Sequence, residues 1–217
     1  MSAVYRIVLT ALIAGAIAGL VGAALQSVTT WPLIREAERF ESAPSHDHAA
    51  EAAEPSAATR AALSVLTSVL AGIGFALMLC GAFALSDAPV DGRAGAIWGV
   101  AGFAAFSLAP SLGLPPEPPG AADSDLAARQ LWWLATVVCT AGGLWLVAFR
   151  RGWAAIAIAI ALLAAPHLIG APQPEGASTV PAALASRFAA ASLVVSAVFW
   201  VVLGTASGAI YARLSAR

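Results

Sequence analysis

Three histidines in an otherwise apolar chain are the side chains best suited to chemistry, and each has carboxylates nearby. His167 stands in AAPHLIGAPQPEG, Ala164 to Gly176, directly after Pro166 and ahead of Gln173 and Glu175. His46 and His48 stand in REAERFESAPSHDHAAEAAE, Arg35 to Glu54, where they flank Asp47 and follow Glu36, Glu38 and Glu41. Imidazole nitrogen combined with carboxylate oxygen suits borderline divalent ions such as cobalt, nickel or zinc, whereas calcium and magnesium favour oxygen alone. Two histidines two apart can meet one ion but leave its coordination sphere unfilled. Short His-rich tracts are compositional evidence, so a solvated, Ala-rich acidic loop fits His46 and His48 equally well.

The setting of His167 is more specific. Proline has no backbone N–H, so Pro166 leaves the carbonyl of Leu162 without its helical partner, and Pro110 does the same to Phe106. Freed carbonyls at membrane depth are tolerated where they line a polar cavity. His167 with the carbonyls released at Pro166 and Pro110 is therefore the expected metal-entry site. The other outcome for His167 is an interfacial ring paired with a backbone group. Catalytic motifs are missing: HExxH, GxSxG and a Walker A loop are all absent, so neither an enzyme nor ATP-driven transport is expected. No Asp, Glu or Arg falls mid-span, so the buried carboxylate of a proton-coupled pump is absent too.

These groups must be positioned by membrane helices. Of 217 residues 60% are hydrophobic and 11% charged, with a mean hydropathy of +0.83, against about 25% charge in ordinary soluble domains. The formal net charge is −1 and no basic stripe is present, which excludes nucleic acid as a partner. Cys80 and Cys139 lie inside apolar runs and read as small hydrophobes. Apolar stretches cover 4–31, 61–85, 94–109, 131–149, 153–169 and 188–211, against about 20 residues needed to cross a bilayer core. The expectation is an all-α integral membrane protein of about six transmembrane helices, a single domain over 1–217 with a His- and acid-rich outer loop over 35–60. The first apolar run outlasts a signal core and reads as an uncleaved helix. With the N- and C-termini cytoplasmic, six of the eleven arginines fall inside, while ten of the twelve acidic residues fall outside.

The proline exits repeat. APSLGLPPEPPG (Ala109 to Gly120) matches APHLIGAPQPEG (Ala165 to Gly176) at Ala109/Ala165, Pro110/Pro166, Leu112/Leu168, Pro116/Pro172, Pro118/Pro174 and Gly120/Gly176. LAAR before the fourth span echoes LASR before the sixth, and Gly15, Gly19 and Gly22 share the spacing of Gly95, Gly99 and Gly102. The first span also ends at a proline, Pro32. The spans accordingly read as three related helical hairpins, each with an outgoing helix that stops at a proline. Such repeats are typical of transporters, with binding sites at the interrupted spans; the alternative is that prolines simply end helices. The glycines read as packing devices.

Several blocks are more specific: PLIREAERFE (Pro32 to Glu41), GIGFALMLCGAFAL, IWGVAGFAAFSLAPSLGLPPEPPG, ARQLWWLAT (Ala128 to Thr136), PHLIGAPQPEG, PAALASRF, FWVVLG and SGAIYARL. Over essentially its whole length the chain resembles the CbtA family of bacterial cobalt-transporter subunits, departing from the expected pattern at Arg35. The resemblance implies Co²⁺ uptake for cobalamin synthesis across the bacterial inner membrane. It also implies a small single-span partner, CbtB, with a histidine-rich C-terminus. Candidates carried by the matching blocks are Glu36, Glu38, Gln130, His167 and Glu175, with His46 and His48 in the more variable loop. No cofactor is expected, cobalt being cargo, and a homo-oligomer stays open. Competing readings are a non-transporting scaffold for a partner permease, a permease for another divalent metal, and an organic-solute permease whose pocket is lined by Trp132 and Trp133.

Overall fold

A computed structural model describes residues 2–40, 56–86, 88–122, 125–174 and 176–216, and these are helical without a strand. The elements are α1 (Ala3–Val28), α2 (Thr30–Ala37), a 3-10 turn (Glu38–Phe40), α3 (Ala57–Ser86), α4 (Gly92–Phe103), a π-helical segment (Ala104–Leu108), α5 (Ala109–Ser111), α6 (Leu126–Phe149), α7 (Trp153–Ile169) and α8 (Ala182–Ser215). Five helical stretches among the described residues are long and apolar enough to cross a bilayer: α1, α3, the continuous run Gly92–Ser111, α6 and α8. The fifth expected span is the short one. The 17 residues of α7 extend about 25 Å at 1.5 Å per residue, against a hydrocarbon core of about 30 Å.

The first span breaks at Thr29. Its hydroxyl donates to the Leu25 carbonyl at 2.7 Å, and Ser27 and Thr30 likewise bond back to Ala24 and Gln26. Such back-bonding competes with the helical ladder and bends helices. The chain turns there into α2, whose first turn holds Pro32, a place where a missing N–H is harmless. The 35–60 loop is therefore partly helical: residues 35–37 belong to α2 and 57–60 to α3. Pro166 does not stop its helix either, since α7 runs on to Ile169 and ends at Gly170, φ +89°.

Packing follows the glycines. On α1, Gly15 and Gly19 lie against the α3 backbone at Gly72 and Ser68; on α4, Gly95 and Gly99 lie against α8 at Gly204 and Trp200. A methyl group at any of these four glycines would collide with the opposing backbone, so the helices approach as closely as small-xxx-small seams allow. The same spacing thus serves the same purpose in both spans. The partners correct the expected hairpins: α1 pairs with α3 as its sequence neighbour, but α4 packs chiefly on α8, and α7 packs on α6. Helices α1, α3, α4 and α8 form one group around Phe75, Phe83, Trp200 and Leu203. Short α2 lies over the start of α8 through Leu33, Ala37, Val180 and Leu184.

Candidate functional site

The two sister proline exits share a sequence but differ in local structure. At Pro110 the helix widens: the Ala109 N–H reaches back five residues to the Ala104 carbonyl, and Ala104–Leu108 is π-helical. At Pro166 the helix stays regular, and the Pro166 carbonyl accepts both the Gly170 N–H at 3.1 Å and the Trp132 indole N–H at 3.0 Å. The exits are joined to each other. Gly113 abuts Trp132 and Ala171, and the Gly120 carbonyl accepts from Thr179 N–H and hydroxyl at 3.2 and 3.0 Å. Sister glycines Gly120 and Gly176 both have positive φ, +80° and +104°.

Beside the π segment lies a cleft in two adjoining parts. Its inner part, about 660 Å³, is lined by α1, α2, α3, α8 and the π segment; its outer part, about 910 Å³, lies under the Pro-rich loop. Ile34, Phe106, Ser107, Phe188, Ser192 and Ser196 border both. The inner wall carries neutral oxygens: Gln26, Ser64, Thr67, Ser68, Ser107, Ser192 and Ser196. Ser107 and Ser196 bond to each other at 2.6 Å across the interface of the π segment with α8. No histidine, acid or arginine is among its described lining residues. The floor is aromatic, with Phe75 5.0 Å from Trp200 and 5.3 Å from Phe106, ring centre to ring centre. At the outer part Arg129 pairs with Glu117 at 2.7 Å.

Ser64/Ser68 and Ser192/Ser196 were legible as pairs in the sequence, because residues four apart share a helix face. Serine in an apolar helix reads first as a packing residue, and only the tertiary arrangement turns both faces into one cavity. Neutral oxygens suit a hydrated cation, whose bound waters donate hydrogen bonds outward. A set without charge holds such an ion weakly, as conduction requires.

The expected ligands do not converge on one point. Pro110 and the exposed Gln130 line the outer cleft. His167 is half-buried and meets Trp132 edge-on at 5.9 Å; it borders neither part of the cleft. Trp132, seated between Gly113 and α7, occupies Pro166's own carbonyl, one turn from the Leu162 carbonyl that Pro166 releases; Pro110 lines the outer cleft and His167 does not, so the two exits do not line one cavity together. Glu36 is half-buried on α2 and Glu38 exposed in the following turn. His46, His48 and Glu175 lie outside the described residues. Among the described residues no three His, Cys, Asp or Glu side chains gather closely enough to hold a metal. Of the two tryptophans, Trp133 lines the outer cleft while Trp132 is buried behind it.

A family model described as "Probable cobalt transporter subunit (CbtA)" matches residues 4–212. No curated protein and no solved structure matches the chain.

Proposed function

The chain belongs to the CbtA family of probable cobalt transporter subunits, and from that premise we propose that its neutral-oxygen cleft is the passage by which Co²⁺ enters the membrane. The observation that carries this reading is the wall, with Ser107, Ser192 and Ser196, that the part of the cleft at the Pro110 exit and Gln130 shares with the part lined by the hydroxyls of α3. The cleft end of the bundle faces outward, with the termini cytoplasmic and the protein in the bacterial inner membrane. The acidic first loop, with Glu36, Glu38, His46 and His48, raises the local cation concentration as clefts lined by one sign of charge do. Glu175, next to the Pro172–Pro174 stretch, adds to that field. The cation then exchanges this field for weak contacts to serine and glutamine oxygens through its water shell. His167 serves chiefly to hold the α7 exit against Trp132. Being one subunit, the chain works with a partner, for which a small single-span CbtB-type protein with a histidine-rich tail is the candidate. The imported cobalt supplies cobalamin synthesis.

Cobalt uptake by cells carrying the full transporter tests the passage. Changing Ser192 and Ser196 together to alanine keeps the helix and adds no bulk while removing both oxygens, and should lower uptake at least fivefold at equal membrane abundance. Uptake at the unmodified rate would rule the cleft out as the route. Were cobalt uptake indifferent to the cleft and to His167 alike while the partner's abundance fell on deleting this chain, the scaffold reading would take its place.

A further inference from the structure

Below the aromatic floor of the cleft, the same helices bury a second layer of polar groups that the proposed passage does not yet use. Thr10 on α1 and Ser207 on α8 are both completely buried, and neither hydroxyl has a hydrogen-bond partner among the described groups. One turn beyond each stand Arg6 and Tyr211. The Arg6 guanidinium donates to the Tyr211 hydroxyl at 3.1 Å and lies 4.6 Å above the centre of its ring. Arg6 Nε is buried without a partner. The third wall is α3: Ser207 faces the buried Cys80 thiol, short of hydrogen-bond geometry, and Phe83 meets Tyr211 at 5.8 Å.

The register is fixed by contacts on both sides. Gly22 approaches Phe199 and Arg6 meets Tyr211, so α1 and α8 run antiparallel and one turn inward brings Thr10 level with Ser207. From the cleft end, the seam between α1, α3 and α8 thus reads hydroxyls, then Phe75 and Trp200, then the buried Leu79 and Leu203, then Thr10, Cys80 and Ser207, then Arg6 on Tyr211. Small Ser and Thr side chains let the helices approach, but a buried hydroxyl left without a partner opposes folding, so close packing alone does not account for Thr10 and Ser207. They are of use to a hydrated cation in transit. A fixed guanidinium at the end of such a row is an electrostatic barrier to cations, and an aromatic constriction is a barrier by dewetting.

We propose that Arg6, held on Tyr211, is the cation gate at the far end of the seam from the cleft, and that Thr10, Cys80 and Ser207 form the polar layer it closes. The proposal rests on the passage reading for its cargo, a hydrated divalent cation. Its geometry can be tested without cobalt. In the full chain with Cys139→Ser, reconstituted in liposomes, Cys80 is the sole thiol and reports access to the layer. Small methanethiosulfonate reagents, one cationic and one anionic, are added on the side of Arg6. The parent should react slowly with both. Arg6→Gln should raise the rate of the cationic reagent at least tenfold and leave the anionic one within twofold, while Arg6→Lys stays near the parent. An equal rise for both reagents would mean loosened packing and overturn the gate, as would an unchanged cationic rate. Failure of cobalt uptake in the Ser192/Ser196 test would remove the cargo but leave this charge-selective access unaffected, so the two ideas fail separately.

Discussion

The indole N–H of Trp132 donates to the backbone carbonyl of Pro166 at 3.0 Å, in a buried contact that ties α6 to α7 at the proline exit. The backbone oxygen beside His167 is therefore already taken, by Trp132 and by Gly170. Trp132→Phe keeps the ring packing and removes the donor. Because the carbonyl retains its second partner, the cost should be about 1 kcal/mol, seen as a lower unfolding midpoint in detergent. Cobalt uptake at matched abundance should stay within twofold of the parent.

His167 follows from the same contact. His167→Ala removes an edge-on ring from Trp132 and no cleft wall, so uptake should fall by less than half, well short of the Ser192/Ser196 double variant. Loss of uptake comparable to that variant would restore His167 as a metal ligand in its own right.

The first loop acts through concentration. Deleting His46 to His48 should weaken uptake only when external cobalt is scarce, raising the half-saturating concentration several-fold with little change in the maximal rate. A fall in the maximal rate at saturating metal would make these histidines part of the route.

Pro110 holds the π segment open. Pro110→Ala restores an N–H and lets the Ala104–Leu108 turns tighten towards an ordinary α-helix, which rotates Ser107 away from Ser196. Pro-to-Ala in a helix should leave stability unchanged or raise it, while uptake drops at least threefold. A stable variant with full uptake would show that the wide turn is dispensable.

The glycine seams give a sharp pair of opposite effects. Gly95→Ala drives a methyl into the Gly204 backbone and should destabilise by about 1–3 kcal/mol, the range for overpacking a well-packed core. Gly74→Ala meets nothing within 4 Å and should be neutral or stabilising by up to about 1 kcal/mol from helix propensity. Thermal unfolding of the two purified variants separates them.

Class, approximate spans and proline exits were legible in the sequence because they depend on local chemistry. Some twenty apolar residues in a row have few solutions in a bilayer, and Pro110 and Pro166 each remove a hydrogen bond wherever they sit. The glycine spacing of α1 and α4 likewise announced close packing, though not its partners. What the sequence left undetermined were the choices made between elements. It could not show that α4 would pair with α8, since the a-xxx-a pattern of small residues is compatible with any partner helix carrying its own. Nor could it show that Pro110 would widen its helix while Pro166 took an indole donor, because that depends on Trp132 arriving from α6. The chemistry-bearing histidines drew attention by residue type. The cleft was built instead from ordinary serines on α3, α8 and the π segment, which mean little singly and form a polar surface only when three helices bring them to one face.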